Sequence, residues 1–209
     1  HVAGLSFQEL KEMMKEEVKQ RAIGLSVLTT LGELRSVRIF ILGEANRPGS
    51  YTVSSLSTIT NALFVSGGIK KTGSLRNIEL KRNGNVVSTF DLYDLLLRGD
   101  TSDDVRVLPG DVIFVPPVGQ TVGIGGEVKR SAVFELKDET TFADLVSLSG
   151  GFLPTTFLPA TKVNRIDRSG QRTVLDIDLS QPNNLAQPLR NGDLVRVFSI
   201  LDSLEDVVS

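Results

Sequence analysis

The sequence predicts an α+β protein in which one unit of about 80 residues occurs twice, each unit a sheet carrying one main helix. Three observations predict it. The stretch Leu42-Gly43-Glu44-Ala45-Asn46-Arg47-Pro48-Gly49-Ser50-Tyr51 returns as Gly125-Gly126-Glu127-Val128-Lys129-Arg130-Ser131-Ala132-Val133-Phe134, with Gly43 and Gly126 standing 83 positions apart. Gly67-Gly68 returns as Gly150-Gly151 at the same offset, and Gly110-Asp111 as Gly192-Asp193 at an offset of 82. Within each copy, short β-branched runs and turn signals surround one short amphipathic stretch. Solenoid repeats have periods of roughly 20–50 residues, so a unit this long reads as a small domain with its own core.

Residues 5–23 read as an amphipathic helix. Ser6 and Glu9 form a capping box, Leu5 and Leu10 sit at staple positions, and Leu10, Met13, Met14 and Val18 share a face. Gly24 is placed to end it, and Leu25–Leu31 reads as a strand. Such a stripe needs a partner surface, either the first repeat or sequence upstream.

Val37–Leu42 opens the first copy as a strand, Pro48-Gly49 turns the chain, and Tyr51 and Val53 resume period two. The second copy has Ser131-Ala132 where the first has Pro-Gly, so that turn chemistry is not essential to the unit. A short helix follows in each copy, capped by Ser57 or Thr58 and by Thr141 with Asp144, and stopped at the Gly-Gly pair. A loop comes next, longer in the second copy, where Pro154 and Pro159 argue against helix. Hairpins centre on Asn83-Gly84 and Ser169-Gly170. Asp91–Arg98 reads as a helix stopped by Gly99, and its counterpart Asp178–Ala186, with Pro182 and two Asn, as a looser one. Asp111–Val115 and Asp193–Phe198 close the copies as buried strands, and Pro116-Pro117 stiffens the connection. This order suits a β-grasp, in which the last strand enters between earlier ones. Domain limits are expected at 1–36, 37–117 and 118–209.

Bulk properties exclude several classes. Net charge is −2 with the signs mixed along the chain, which is no footprint for nucleic acid. Cysteine is absent and His1 is the one histidine, so disulfides, thiolate metal sites and histidine-based catalysis have no residues to use. The longest apolar runs, Ile39–Leu42 and Val112–Val115, are far short of the roughly 20 residues a spanning helix needs. The chain opens on His1 and reads as a piece of a longer protein.

No enzyme, metal or cofactor is expected. Val122-Gly123-Ile124-Gly125-Gly126 fails the dinucleotide spacing and leads into a strand, so a tight strand crossing accounts for it. Asp100, Asp103 and Asp104 lack the calcium-loop pattern and read as a solvated loop. Asp111 and Asp193 read as turn residues bonding the backbone. Glu44 and Glu127 lie in different units and make no catalytic carboxylate pair. Asn46, Arg47, Lys129 and Arg130 put donors at the two hairpin tips, suited to acidic or hydroxyl-rich sugars or to carboxylates of a neighbouring subunit. Solvated turn charges are the plain alternative.

Val37–Val53, V-R-I-F-I-L-G-E-A-N-R-P-G-S-Y-T-V, resembles the opening of soluble-ligand-binding β-grasp (SLBB) domains. Ala62–Gly68 and Leu108–Pro116 match the same domain in the expected order, and Thr121–Ile200 follows as a weaker copy. Tandem SLBB domains of this kind resemble the Wza-like outer-membrane polysaccharide export proteins of Gram-negative bacteria. The resemblance implies a non-enzymatic periplasmic module of a protein exporting capsule, exopolysaccharide or O-antigen capsule. It further implies a ring-shaped homo-oligomer, an inner-membrane polysaccharide co-polymerase as partner, and an N-terminal segment that is the tail of an export domain. The alternative is a soluble β-grasp protein binding a small ligand or glycan. With no Trp and only Tyr51 and Tyr93, its stacking inventory is poor.

Overall fold

The computed structural model describes residues 6–21, 28, 35–167 and 169–201, and the chain divides into two compact units, His1–Arg35 and Ser36–Ser209. In the first, α1 (Phe7–Arg21) begins at the expected capping box: the Ser6 N–H donates to Glu9 Oε2 at 2.7 Å and the Glu9 N–H to Ser6 Oγ at 3.3 Å. None of its residues is buried. Leu5, the expected stop at Gly24 and all of the strand expected at Leu25–Leu31 except Leu28 lie outside the described residues.

The second unit holds both repeats. The first runs β1 (Ser36–Gly43), β2 (Gly49–Ser54), α2 (Ile59–Val65), β3 (Ile78–Arg82), β4 (Asn85–Phe90) and β5 (Val112–Val115). Its sheet order is β2-β1-β5-β3-β4, with β5 parallel to β1 and antiparallel to β3. The second runs β6 (Thr121–Gly126), β7 (Ala132–Glu135), α3 (Phe142–Leu148), β8 (Thr156–Ile166), β9 (Arg172–Ile177), α4 (Pro182–Leu185) and β10 (Leu194–Ser199), in the same order, β7-β6-β10-β8-β9. In both, the last strand is inserted beside the first. That is the β-grasp arrangement.

One face of each sheet is covered. Ile59, Ala62 and Leu63 of α2 pack on Ile39, Ile41, Leu80 and Ile113, while Phe142 and Leu145 of α3 pack on Ile124, Val163 and Val195. The burial of β1 alternates residue by residue, as one covered face requires. Asn83 and Gly84, at φ 51° and 84°, make the primed turn joining β3 to β4.

Two elements differ from the sequence expectation. Asp94–Arg98 is a five-residue π-helical segment, closed by left-handed Gly99. The long loop expected after Gly150-Gly151 is cut short because β8 starts at Thr156 and contains Pro159. The ladder to β10 jumps from Lys162↔Arg196 to Phe157↔Phe198, so Pro159 sits in a bulge where no ladder N–H is needed.

Candidate functional site

Each hairpin tip is held by the same two backbone hydrogen bonds and turned by the same glycine. Gly43 and Gly126 have φ of 81° and 89°, and an added Cβ would lie 2.1 Å from Val115 O and 1.9 Å from Val197 O. Only glycine allows both the left-handed turn and this approach to the closing strand. The turn lets the Glu44 and Glu127 N–H groups donate to Val115 O and Val197 O at 2.8 and 3.0 Å. Beyond it, the Asn46 and Lys129 N–H groups donate to Gly68 O and Gly151 O at 2.9 and 3.0 Å. The tip and the Gly-Gly pair thus form one docked element. That is why the two landmarks travel together in the sequence.

The repeated acids are held as well. Glu44 Oε2 accepts from the Thr72 hydroxyl at 2.6 Å, and Glu127 Oε2 accepts a short hydrogen bond from the Thr155 hydroxyl. Thr72 and Thr155 are also 83 positions apart, a signal that the same offset would have exposed.

The four tip residues separate. The Asn46 side-chain amide donates to Gly67 O at 2.8 Å, tying it to the tip's own scaffold. Arg130 Nη1 donates to Leu148 O at 3.1 Å, at the C-terminal end of α3 where orphan carbonyls favour a cation. Arg47 and Lys129 are exposed, and their side chains have no hydrogen bond or ion pair among the described residues. Tyr51 OH donates to Arg47 O at 2.5 Å and so fixes the backbone beneath the Arg47 side chain. No hydrogen bond joins the 46–47 pair to the 129–130 pair.

The strongest polar cluster lies at the seam between the repeats, where no sequence motif pointed. Arg76 is 5% exposed and reaches Asp91 Oδ2 at 3.1 Å, Glu139 Oε2 at 2.6 Å and Glu135 O at 3.2 Å. Its guanidinium carbon stands 4.7 Å from the centroid of the Tyr93 ring. Tyr93 OH accepts from the Glu135 N–H at 2.9 Å, and the Glu135 carboxylate accepts from the N–H groups of Leu75 and Gly119 at 2.8 and 2.9 Å. Burial pushes the Tyr93 hydroxyl above its usual range. Burial also opposes ionisation of Glu139, but hydrogen bonds from Arg76 and the Lys137 N–H outweigh it and hold the carboxyl below the usual range. The Pro116-Pro117 connection is laced to the neighbouring loop: the Ser74 N–H donates to Pro116 O, and the Val118 N–H to Thr72 O, both at 2.8 Å.

Asp111 and Asp193 are fully buried and close a bidentate pair with Arg82 (2.8 and 2.8 Å) and with Arg165 (2.8 and 2.6 Å). Each also accepts the N–H three residues earlier, of Leu108 or Arg190, at 2.7 or 2.8 Å. They fix the turn into the closing strand and face no cleft.

Models of the SLBB domain match residues 37–115 and 121–176, together more than half of the chain. The chain belongs to the SLBB family. It carries two SLBB domains in tandem, and each is the β-grasp described above. Among curated proteins, the polysialic acid transport protein KpsD of Escherichia coli is 30% identical over 141 residues, 66% of this chain and 25% of KpsD. The EPS I polysaccharide export outer membrane protein EpsA of Ralstonia solanacearum is 27% identical over 205 residues, 94% of this chain and 54% of EpsA. The chain therefore spans a quarter of the one relative and about half of the other.

Proposed function

We propose that this chain is the tandem-SLBB part of an outer-membrane polysaccharide export protein, standing in the periplasm and working as a structural and binding module without catalysis. The observation that carries the reading is the pairing of two SLBB domains with relatives named for polysialic acid transport and EPS I polysaccharide export. Capsular, exopolysaccharide or O-antigen chains are the proposed cargo. A ring-shaped homo-oligomer of the full-length protein is the proposed assembly, and an inner-membrane polysaccharide co-polymerase the proposed partner.

Within that reading the hairpin tips are the contact points. Asn46, Arg47, Lys129 and Arg130 meet either polymer or the neighbouring subunit. The exposed cations Arg47 and Lys129 supply the attraction, while Asn46 and Arg130 shape the tips through Gly67 O and Leu148 O. A charge-assisted contact of this kind contributes about 1.5–3 kcal/mol where it is desolvated and much less at an exposed rim.

The test is export itself. The full-length protein carrying Arg47→Ala and Lys129→Ala is returned to a strain lacking its own copy, and surface polysaccharide is quantified. Loss of polysaccharide with unchanged protein level supports the tips as contact points. Export at the wild-type level ends that assignment.

A further inference from the structure

Gly123 and Gly125 lie on the face of β6 opposite Ile124; Gly123 is buried, with Leu194 Cδ2 2.6 Å from where its Cβ would stand, and Gly125 is half-buried. At the same two places β1 carries Phe40 and Leu42, which are 37% and 41% exposed on the outer face of the first sheet. The neighbouring strands differ in parallel: Leu42 pairs in register with Phe114, whereas Gly125 pairs with Arg196. The place that Leu42 fills with hydrocarbon in the first domain is therefore open at Gly125 in the second, while Leu194 covers the place that corresponds to Phe40.

The hollow is a shallow trough of about 600 Å³. Its open floor is the β6 backbone at Gly125, Leu194 and Val133 close it over Gly123, and Ser131, Asn164 and Arg196 supply its polar groups. Glycine inside a strand weakens it, and it marks places where a ligand or another backbone comes close. Backbone geometry does not demand glycine at 125. Its φ is not left-handed, and a Cβ there would meet nothing within 4 Å, in contrast to the next residue, Gly126. What glycine provides at 125 is open space.

Charge selects the occupant. The Arg196 guanidinium carbon is 5.2 Å from the Phe198 ring centroid, and Nζ of Lys162, its register partner on β8, is 5.7 Å from the same ring. Neither cation forms an ion pair among the described residues. Asn164 Oδ1 accepts twice from Arg172, at 3.2 and 2.9 Å, which leaves the amide nitrogen as a donor. The outer face of the first domain is a poor fit for this trough, because Arg38 and Lys81 sit over Phe40 and Phe114 there and would bring like charges together.

We propose that the trough binds a segment of an acidic polysaccharide. The apolar face of a sugar ring lies on the open β6 backbone at Gly125, beside Leu194, its carboxylate meets Arg196, and a hydroxyl accepts from the Asn164 amide. The proposal rests on the polysaccharide reading above and names the chemistry of the polymer.

The test titrates the 209-residue chain with oligogalacturonate and, as a neutral probe, a malto-oligosaccharide of equal length, followed by calorimetry. Oligogalacturonate is expected to bind saturably, weaken with added salt, and exceed the neutral probe by about tenfold. Gly125→Leu places in the trough the residue that β1 already uses, and should lose about tenfold or more with an unchanged melting temperature. Arg196→Gln should bring the two probes to the same affinity. Unchanged binding in both variants, or no saturable binding to either probe, overturns the proposal. So does a concentration-dependent dimer in sedimentation that Gly125→Leu dissolves, which would assign the trough to a second copy. The loss in Gly125→Leu and Arg196→Gln reports on the trough and not on the hairpin tips, so its failure is distinct from a failure of the export assay.

Discussion

Replacing Arg76 by methionine tests whether the two SLBB domains stand as one folding unit. Methionine keeps much of the volume but removes four contacts at once: Asp91, Glu139, Glu135 O and the Tyr93 ring. Removing one partner of a buried ion pair costs about 3–5 kcal/mol, because the charge left behind is uncompensated. Here some compensation remains. Asp91 keeps the Tyr93 N–H at 2.9 Å and Lys137 at 3.5 Å, and Glu139 keeps the Lys137 N–H at 3.0 Å. The expected loss is therefore at the low end, about 3 kcal/mol. With a urea slope of roughly 3 kcal/mol per molar, the midpoint of unfolding falls by about 1 M. Tyrosine emission is a suitable probe, since the chain has no Trp and only two Tyr. Tyr51 packs against the first core and Tyr93 belongs to the second. The wild type should unfold in one transition and Arg76→Met in two. The triple variant Arg76→Met, Asp91→Asn, Glu139→Gln should recover at least half of the loss, because no buried charge is then stranded. A midpoint for Arg76→Met within about 0.2 M of wild type, equivalent to about 0.5 kcal/mol at that slope, in a single transition, would refute the reasoning.

Two further outcomes follow from the same structure. Gly43→Ala and Gly126→Ala each force a Cβ into a left-handed position within 2.1 or 1.9 Å of a carbonyl oxygen. Each should cost more than about 2 kcal/mol, since the backbone penalty alone is roughly 1–2, whereas Gly125→Ala should stay within about 0.5. Equal thermal shifts for Gly125→Ala and Gly126→Ala would contradict this account. Glu139 and Asp111 both ionise below their usual range in the fold, against burial, through hydrogen bonds from Arg76 and the Lys137 N–H and from Arg82 and the Leu108 N–H. The unfolded chain then binds more protons than the folded one, so their contribution is complete above the ordinary values of 4.5 and 3.8 and is lost as pH falls below them. Thermal unfolding between pH 6 and about pH 3 should show a melting temperature that drops on the acid side, with a shallower drop in Glu139→Gln; a flat profile would contradict it.

The parts of the fold readable from sequence are those set by neighbouring residues. The capping boxes at Ser6 and Thr141, the Asn83-Gly84 turn and the Gly-Gly helix stops are local chemistry, and each recurs in the structure as written in the chain. The 83-residue offset also carried more than it first yielded, because Thr72/Thr155 and Arg82/Arg165 share it and complete the roles of the repeated acids. The seam was not readable. Arg76 meets Glu135 and Glu139 across 59 and 63 positions, a spacing with no periodicity, and the contact occurs once and not twice. Pro159 argued against helix, as the structure has it, but could not show that β8 starts at Thr156, because proline is compatible with a strand only where a bulge removes the need for its N–H. At the tips, residue type could suggest donors. It could not say that the Asn46 and Arg130 side chains are already bonded to backbone carbonyls of their own domain.

The laced connection at Pro116–Val118 separates the unit of inheritance from the unit of stability. The chain was copied in lengths of about 80 residues, yet Tyr93, Leu75 and Leu97 of the first copy pack with the core of the second. The buried guanidinium of Arg76 likewise belongs to one copy by sequence and to both by contact. Cutting at the proline pair would leave the second domain short of part of its apolar packing and the first with a buried cation facing water. By contact the pair, from Ser36 onward, is one compact unit. Anything inserted in this chain to act as a joint has to go somewhere other than the place where the repeat ends.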